Sequence, residues 1–412
     1  MSIGPEPSTW YAIETSPEVA YRVSPSKAAR VLGSRDLAAI ELKQLFLLDP
    51  GVVFLNHGSF GACPRPVFDE YQRWQRELER QPVEFLARRY AGLIDDARAR
   101  LAAFLGARPE DLAFVPNATA GMNVVARSLE LGPGDEVLLT NHEYGAVDFL
   151  WDHVCRRTGA TLVRQSVEPG AALVDELWEA VTPRTRVVSV SHITSATALR
   201  FPVGEICRRA RAEGILSAVD GAHAPGQVDL DLEALGADFY AGNCHKWVCA
   251  PKGAGFLWAR PEHQPWLAPL VLGWSEREDT FAARHRWQGT NDPAAYLSVP
   301  AAIDFLAEHD WAEMRRRCYA LAAETRGRFA ELGLTPLAPD QGWLGQMVAA
   351  ELPDCDTEEL KRRLYDEHRI EIPVQRWQGR PLIRASFQGY NDASDLEALA
   401  EALVTLAPWS SS

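Results

Sequence analysis

Between Leu112 and Trp258, short apolar runs alternate with stretches whose apolar positions recur three and four residues apart. The runs Leu112–Val115, Glu136–Thr140, Thr161–Val167, Arg186–Val190, Leu216–Val219, Asp238–Ala241 and Gly255–Trp258 predict strands. Ala120–Leu129 and Ala146–Arg157 predict intervening helices, and Val203, Ile206 and Ala210 repeat the helical spacing. Runs apolar on both faces and joined by helical crossovers imply a mostly parallel, seven-stranded sheet in an α/β domain. Past Tyr296 the pattern changes to a long helical tract reaching Leu332. The run Gln346–Ala350, a helix over 357–367, strands at Glu371–Val374 and Leu382–Ser386, and a helix over 393–406 follow it. The expected division is an N-terminal arm (1–40), a large domain (41–295) whose residues 41–65 also reach the substrate mouth, and a smaller α+β domain (296–412).

Bulk properties narrow the function. The net charge of −14, with no basic block, argues against a nucleic-acid partner or an anionic membrane surface. No apolar run is long enough to span a bilayer, and the seven cysteines are scattered and odd in number. A cytoplasmic, soluble protein without a disulfide framework is therefore expected. Cys244, His245 and Cys249 match no zinc spacing and have no second ligand pair, so no metal is expected. His142-Glu143 likewise lacks the second histidine of a metalloprotease helix.

Parallel sheets bind ligands beyond the carboxyl ends of their strands, where Asn117, Tyr144, Ser195, Asp220 and Lys246 fall. Lys246 follows Asp238-Phe239-Tyr240, and Asp220 ends the run Ala218-Val219 before a glycine turn. One lysine and one aspartate so placed are the two groups that pyridoxal 5′-phosphate chemistry requires. The lysine forms an imine with the cofactor aldehyde; the aspartate keeps the pyridine nitrogen protonated. Asn117-Ala118-Thr119 opens a predicted helix, whose amides and hydroxyl suit a phosphate dianion.

In order and spacing, the segments LNHGSFGACPRP (55–66), PNATAGMN (116–123), TNHEYGAV (140–147), SHITSATALRFPV (191–203), VDGAHAPG (219–226), DFYAGNCHKW (238–247), GTND (289–292), VPAAIDF (299–305) and GRPLIRASFQGYND (379–392) carry a resemblance. The chain resembles the class V aminotransferase-fold enzymes, and within them the isopenicillin N epimerase group, from about residue 40 to its end. The resemblance implies fold type I, pyridoxal 5′-phosphate, and a homodimer with shared active sites. It implies Lys246 and Asp220 as catalytic residues, with Tyr144 against the cofactor ring. His57, where relatives need not carry histidine, is read from the sequence as either a second acid or base or a structural residue. Ala118, Thr119, Asn243 and His245 would meet the phosphate, and Thr290 would reach it from the neighbouring subunit. Ser195 and His223 would also contact the cofactor, His223 near its phenolic oxygen. Arg384 would grip the carboxylate of a small amino-acid substrate, beside Asn56, His57 and Ser59.

The cofactor alone does not choose the reaction. Desulfurases of this superfamily carry a nucleophilic cysteine before the arginine strand, and Pro373–Arg380 contains none. Epimerisation of an amino acid is expected first. C–S β-elimination from a cysteine conjugate is the alternative, and transamination comes third. Arg376 and Arg380 could meet a distal anion or be solvated, and Trp274, Trp287 and Trp377 hint at a large or partly apolar substrate or else fill a dimer interface.

Overall fold

The computed structural model describes residues 42–406, so the expected N-terminal arm lies outside the described residues. The short parallel strand β1 (Val53–Phe54) precedes the main sheet. That sheet is built from β2 (Leu112–Val115), β3 (Glu136–Thr140), β4 (Thr161–Gln165), β5 (Thr185–Ser191), β6 (Leu216–Gly221), β7 (Phe239–Asn243) and β8 (Gly255–Ala259). Their spatial order is β2-β8-β7-β6-β5-β3-β4, and only β8 runs against its neighbours. The expected seven-stranded, mostly parallel α/β sheet is what forms.

Alternation along each strand explains both faces. Leu138, Val188, Val190, Val219, Tyr240 and Phe256 point into the larger core. Val137, Leu139, Val187, Ala218, Phe239 and Leu257 point into the second core, under the helices Ala118–Ser128 and Gly145–Thr158. Every residue of β2, β3, β7 and β8 is buried, which is why these strands read as continuous apolar runs. Each fully buried Val, Leu or Phe contributes about 1.5–3 kcal/mol. The expected strand to Val167 stops at Gln165, because β4 is the sheet edge and its residues are half-exposed.

A second, antiparallel sheet follows: β9 (Thr335–Pro336), β10 (Met347–Glu351), β12 (Val374–Trp377) and β13 (Arg380–Ser386), in the order β12-β13-β10-β9. Between β10 and β12, β11 (Ile370–Glu371) pairs in parallel with β1. The expected strand at Glu371–Val374 is thus two strands with different partners. Pairing also attaches β1 to the C-terminal half, since the amide of Ser386 donates to the Leu55 carbonyl at 2.9 Å. Gln378 and Gly379, both at positive φ (50° and 81°), close the β12–β13 hairpin. The expected helical tract from Tyr296 divides into Val299–Glu308 and Trp311–Glu331 around Asp310, whose carboxylate caps the second helix. Among the described residues no helix is long and apolar enough to cross a membrane.

Candidate active site

The parallel strands deliver their carboxyl ends to one cleft of about 210 Å³. Ser191 ends β5, Asp220 lies next to the end of β6, and Asn243 ends β7. Lys246 sits in the turn that follows. The turn is held by amides of Cys244 and His245 donating to the Ala254 carbonyl and that of Cys249 donating to Lys246. Ser59, Asn117, Thr119, Tyr144, Ser195, Asp220, His223, Asn243, His245 and Lys246 all line the cleft. The sequence therefore places ten of its expected residues around one space.

The Lys246 amine lies 3.1 Å from Nε2 of His223. Burial and then the Arg384 guanidinium bring its pKa down to about 7, while the Asp220 carboxylate works against them. An amine near neutrality is partly a free nucleophile at physiological pH. Asp220 is buried, and its Oδ1 accepts the amide of Ala222 at 2.9 Å. Burial raises its pKa, opposed by that amide and by Lys246. Across the cleft, Arg384 on β13 is buried and has no carboxylate within ion-pair distance among the described residues. Its Nη1 donates to the Ser195 carbonyl and its Nη2 to the Ser59 hydroxyl, while Nε has no partner. Burial brings even this guanidinium down to about 10. A buried cation without an anion and a buried acid with one amide are costly alone. They suit a ligand that brings a carboxylate and a protonated ring nitrogen, as pyridoxal 5′-phosphate with an amino acid does.

At the phosphate end, Asn117 caps the helix Ala118–Ser128 by accepting the Ala120 amide at 2.9 Å. The amide of Ala118 is already committed: it donates to Oδ1 of Asn243 at 2.8 Å. That corrects the expectation for Ala118, which is buried behind the cleft, and leaves half-buried Thr119 as the donor of this turn that lines the cleft. His245 donates from Nδ1 to the Ala254 carbonyl at 3.1 Å, so Nε2 is its free nitrogen. Burial, then Lys246, lowers its pKa to about 4. Thr290 is exposed and does not line the cleft of its own chain.

His57 requires the largest correction. It was expected in catalysis and at the substrate mouth, but its ring is fully buried. Nδ1 meets the Tyr390 hydroxyl at 3.0 Å and Nε2 the Lys246 carbonyl at 3.0 Å. Burial lowers its pKa to about 3, so the ring is a neutral brace under the lysine turn. Asn56 also faces inward, donating to Glu371 at 2.9 Å and accepting from Ser59. It orients Ser59 rather than lining the cleft. Arg376 pairs with Asp354 and Arg380 with Glu351. Trp377 donates to the Asn141 carbonyl and lies 4.8 Å from the His142 ring, and Trp287 packs edge-on to Tyr90. None of these arginines and tryptophans lines the cleft.

Two neighbours of the site escape the sequence reading. Glu143, beside Tyr144, accepts the hydroxyls of Thr140 and Ser191. Burial raises its pKa to about 8, with the Asp220 charge adding to the effect. Trp247 donates its indole N–H to Nδ1 of His223 at 3.3 Å. An acid at a strand end and a donor-only indole beside the lysine were the available signals.

Residues 62–399 match the family described as Aminotransferase class-V. An isopenicillin N epimerase of Amycolatopsis lactamdurans is 41% identical over 385 residues, spanning 87% of this chain and 96% of that protein. A probable chloroplastic L-cysteine desulfhydrase of Arabidopsis thaliana is 28% identical over 397 residues, spanning 86% and 83%. The apo cysteine desulfurase from Thermococcus onnurineus NA1 shares the fold with a TM-score of 0.80 at 21% identity, over 89% of this chain and 97% of that one.

Proposed function

The chain belongs to the class V aminotransferase family and uses pyridoxal 5′-phosphate, and from that premise we propose that it epimerises an amino acid at Cα. The carrying observation is the Lys246 amine, its pKa lowered to about 7, acted on by the Asp220 carboxyl and by an Arg384 guanidinium that has no counter-ion among the described residues. The bound cofactor supplies an electron sink that weakens a bond at the α-carbon. Lys246 would hold the cofactor aldehyde, and its amine is the group that moves the α-proton on its own side of the cleft. Asp220 keeps the ring nitrogen charged. Arg384, its fork preset by the Ser195 carbonyl and Ser59 hydroxyl, holds the substrate carboxylate and so fixes which bond is weakened. Tyr144, exposed at the cleft wall, would pack against the cofactor ring and serve as the proton carrier on the opposite face. Thr119, Asn243 and His245 would receive the phosphate, and His223 would face the phenolic oxygen. Thr290 joins them from the second subunit of a homodimer.

Support for epimerisation is the 41% identity to an isopenicillin N epimerase across nearly the whole chain. C–S β-elimination is the second reading, supported by the desulfhydrase relative. It needs only the Lys246 side of the same proton transfer. Persulfide-forming desulfuration is disfavoured, because the tight Gln378–Gly379 turn leaves no loop to carry a cysteine. In addition, burial pushes the thiols of Cys63, Cys207 and Cys318 up to about 12. Incubation with candidate amino acids in deuterated water separates the readings. Solvent deuterium at Cα of an inverted product supports epimerisation. Pyruvate with a released thiol, and no inverted product, would replace it with elimination.

A further inference from the structure

Three hydrogen-bonding groups stand in line: Trp247 Nε1, the two nitrogens of His223, and Lys246 Nζ. The indole N–H can only donate, and it points at His223 Nδ1 from 3.3 Å. Nδ1 must therefore accept. A neutral imidazole that accepts at Nδ1 carries its proton on Nε2. Burial, the largest cause, keeps this ring well below its ordinary pKa, so it is neutral whichever state the lysine is in. Nε2–H then faces Lys246 Nζ at 3.1 Å and needs an acceptor there. A free amine offers a lone pair; an ammonium offers none.

We propose that Trp247 is a positioning residue which, by fixing the His223 tautomer, holds Lys246 as the free amine. The inference rests on the reading above that Lys246 captures the cofactor. Other charges facing the amine do not decide its state unaided. Asp220 from β6 favours the ammonium, Arg384 from β13 disfavours it, and His57 and His245 are neutral through burial. The Trp247–His223 line tips this balance toward the amine. The consequence is chemical readiness. The amine lone pair forms the C–N bond to the aldehyde carbon, the C=O bond breaks, and oxygen leaves as water with the two amine protons. An ammonium must first lose a proton to solvent.

Trp247 is fully buried and packs 4.9 Å from the His57 ring, so its shape also matters. The experiment separates shape from the N–H. Apo-protein is mixed with pyridoxal 5′-phosphate, and the rate of covalent capture is followed by absorbance across pH. Borohydride reduction and peptide mass then verify attachment at Lys246. The native rate should rise through a midpoint near 7. In Trp247→Phe the midpoint should move up by about one pH unit, which is about tenfold slower capture below it. If Trp247→Phe fails to fold, 3-benzothienylalanine at 247 keeps the ring shape and lacks the N–H. His223→Gln is the control background, because an amide NH₂ donates whatever stands at 247. There the Trp247→Phe shift should vanish. An unmoved midpoint, or an equal shift in both backgrounds, overturns the proposal. Native protein that captures no cofactor at any pH would instead remove the functional reading, and this inference with it.

Discussion

Arg384 shows how one residue can carry both a cost and a purpose. Its guanidinium is withdrawn from water, holds two neutral oxygens and keeps Nε unpartnered. Stability alone gives no reason to bury it. Arg384→Lys keeps the charge but loses the planar fork. It should lower kcat/KM by about ten- to a hundredfold, the size of one charged hydrogen bond at about 1.5–3 kcal/mol. Steady-state kinetics should show the loss for amino acids and leave cofactor binding intact. Glu143 makes a second prediction, about pH. Its folded pKa of about 8 lies above the ordinary 4.5, so folding keeps its proton. That contribution is full below about 4.5 and is lost as pH rises through about 8. Glu143→Gln in apo-protein cannot lose a proton, so its Tm relative to native should climb across that window. A constant difference would refute the assignment. His57 marks the limit of reading residues singly. The type suggested an acid or base, but the helical turn His57–Phe60 directs the ring inward toward Tyr390 and Gln388. Those partners lie more than three hundred positions away in the chain.

At the scale of elements, the lysine turn is fixed by what presses on it. Gly61 has φ +71°, and a Cβ there would stand 2.0 Å from the His245 carbonyl oxygen and 2.9 Å from Lys246 Cα. Both obstacles are backbone and cannot rotate away. Gly61→Ala should cost about 1–3 kcal/mol, read as a lower denaturation midpoint. It should also slow cofactor capture by displacing the lysine; an unchanged midpoint and rate would show that the turns are not pressed together. The buried strands were legible because sheets covered on both faces leave uninterrupted apolar runs, as in Val137-Leu138-Leu139. Short strands were legible only in part. Val52–Leu55 reads as a brief strand, and β1 forms there, but β11 is two residues long and is fixed by its pairing with β1, so no local periodicity separates it from β12. The residues at the strand ends were legible for a topological reason: every parallel strand ends on the same side. Glu143 and Trp247 were missed because their roles depend on Ser191 and His223, which other strands bring to them.

At the scale of the whole molecule, the described residues include exposed apolar side chains. Leu272 is 65% exposed and Trp274 91%, with Val271 beside them and Phe60 at the cleft. A monomer rarely keeps such a patch bare, and the proposed homodimer would cover it while bringing Thr290 to the neighbouring phosphate end. Trp274→Glu should shift sedimentation toward the monomer and weaken retention of cofactor together. A native monomer that retains cofactor fully would leave Thr290 without a role. Whether Lys246 is the amine that carries the cofactor is read most directly by borohydride reduction of the reconstituted protein and peptide mass mapping. The sequence offers Lys27, Lys43, Lys246, Lys252 and Lys361 as sites. A pyridoxyl group on the peptide containing Lys246, absent in Lys246→Ala, is the predicted result. Reduction that labels another lysine, or none, would contradict it.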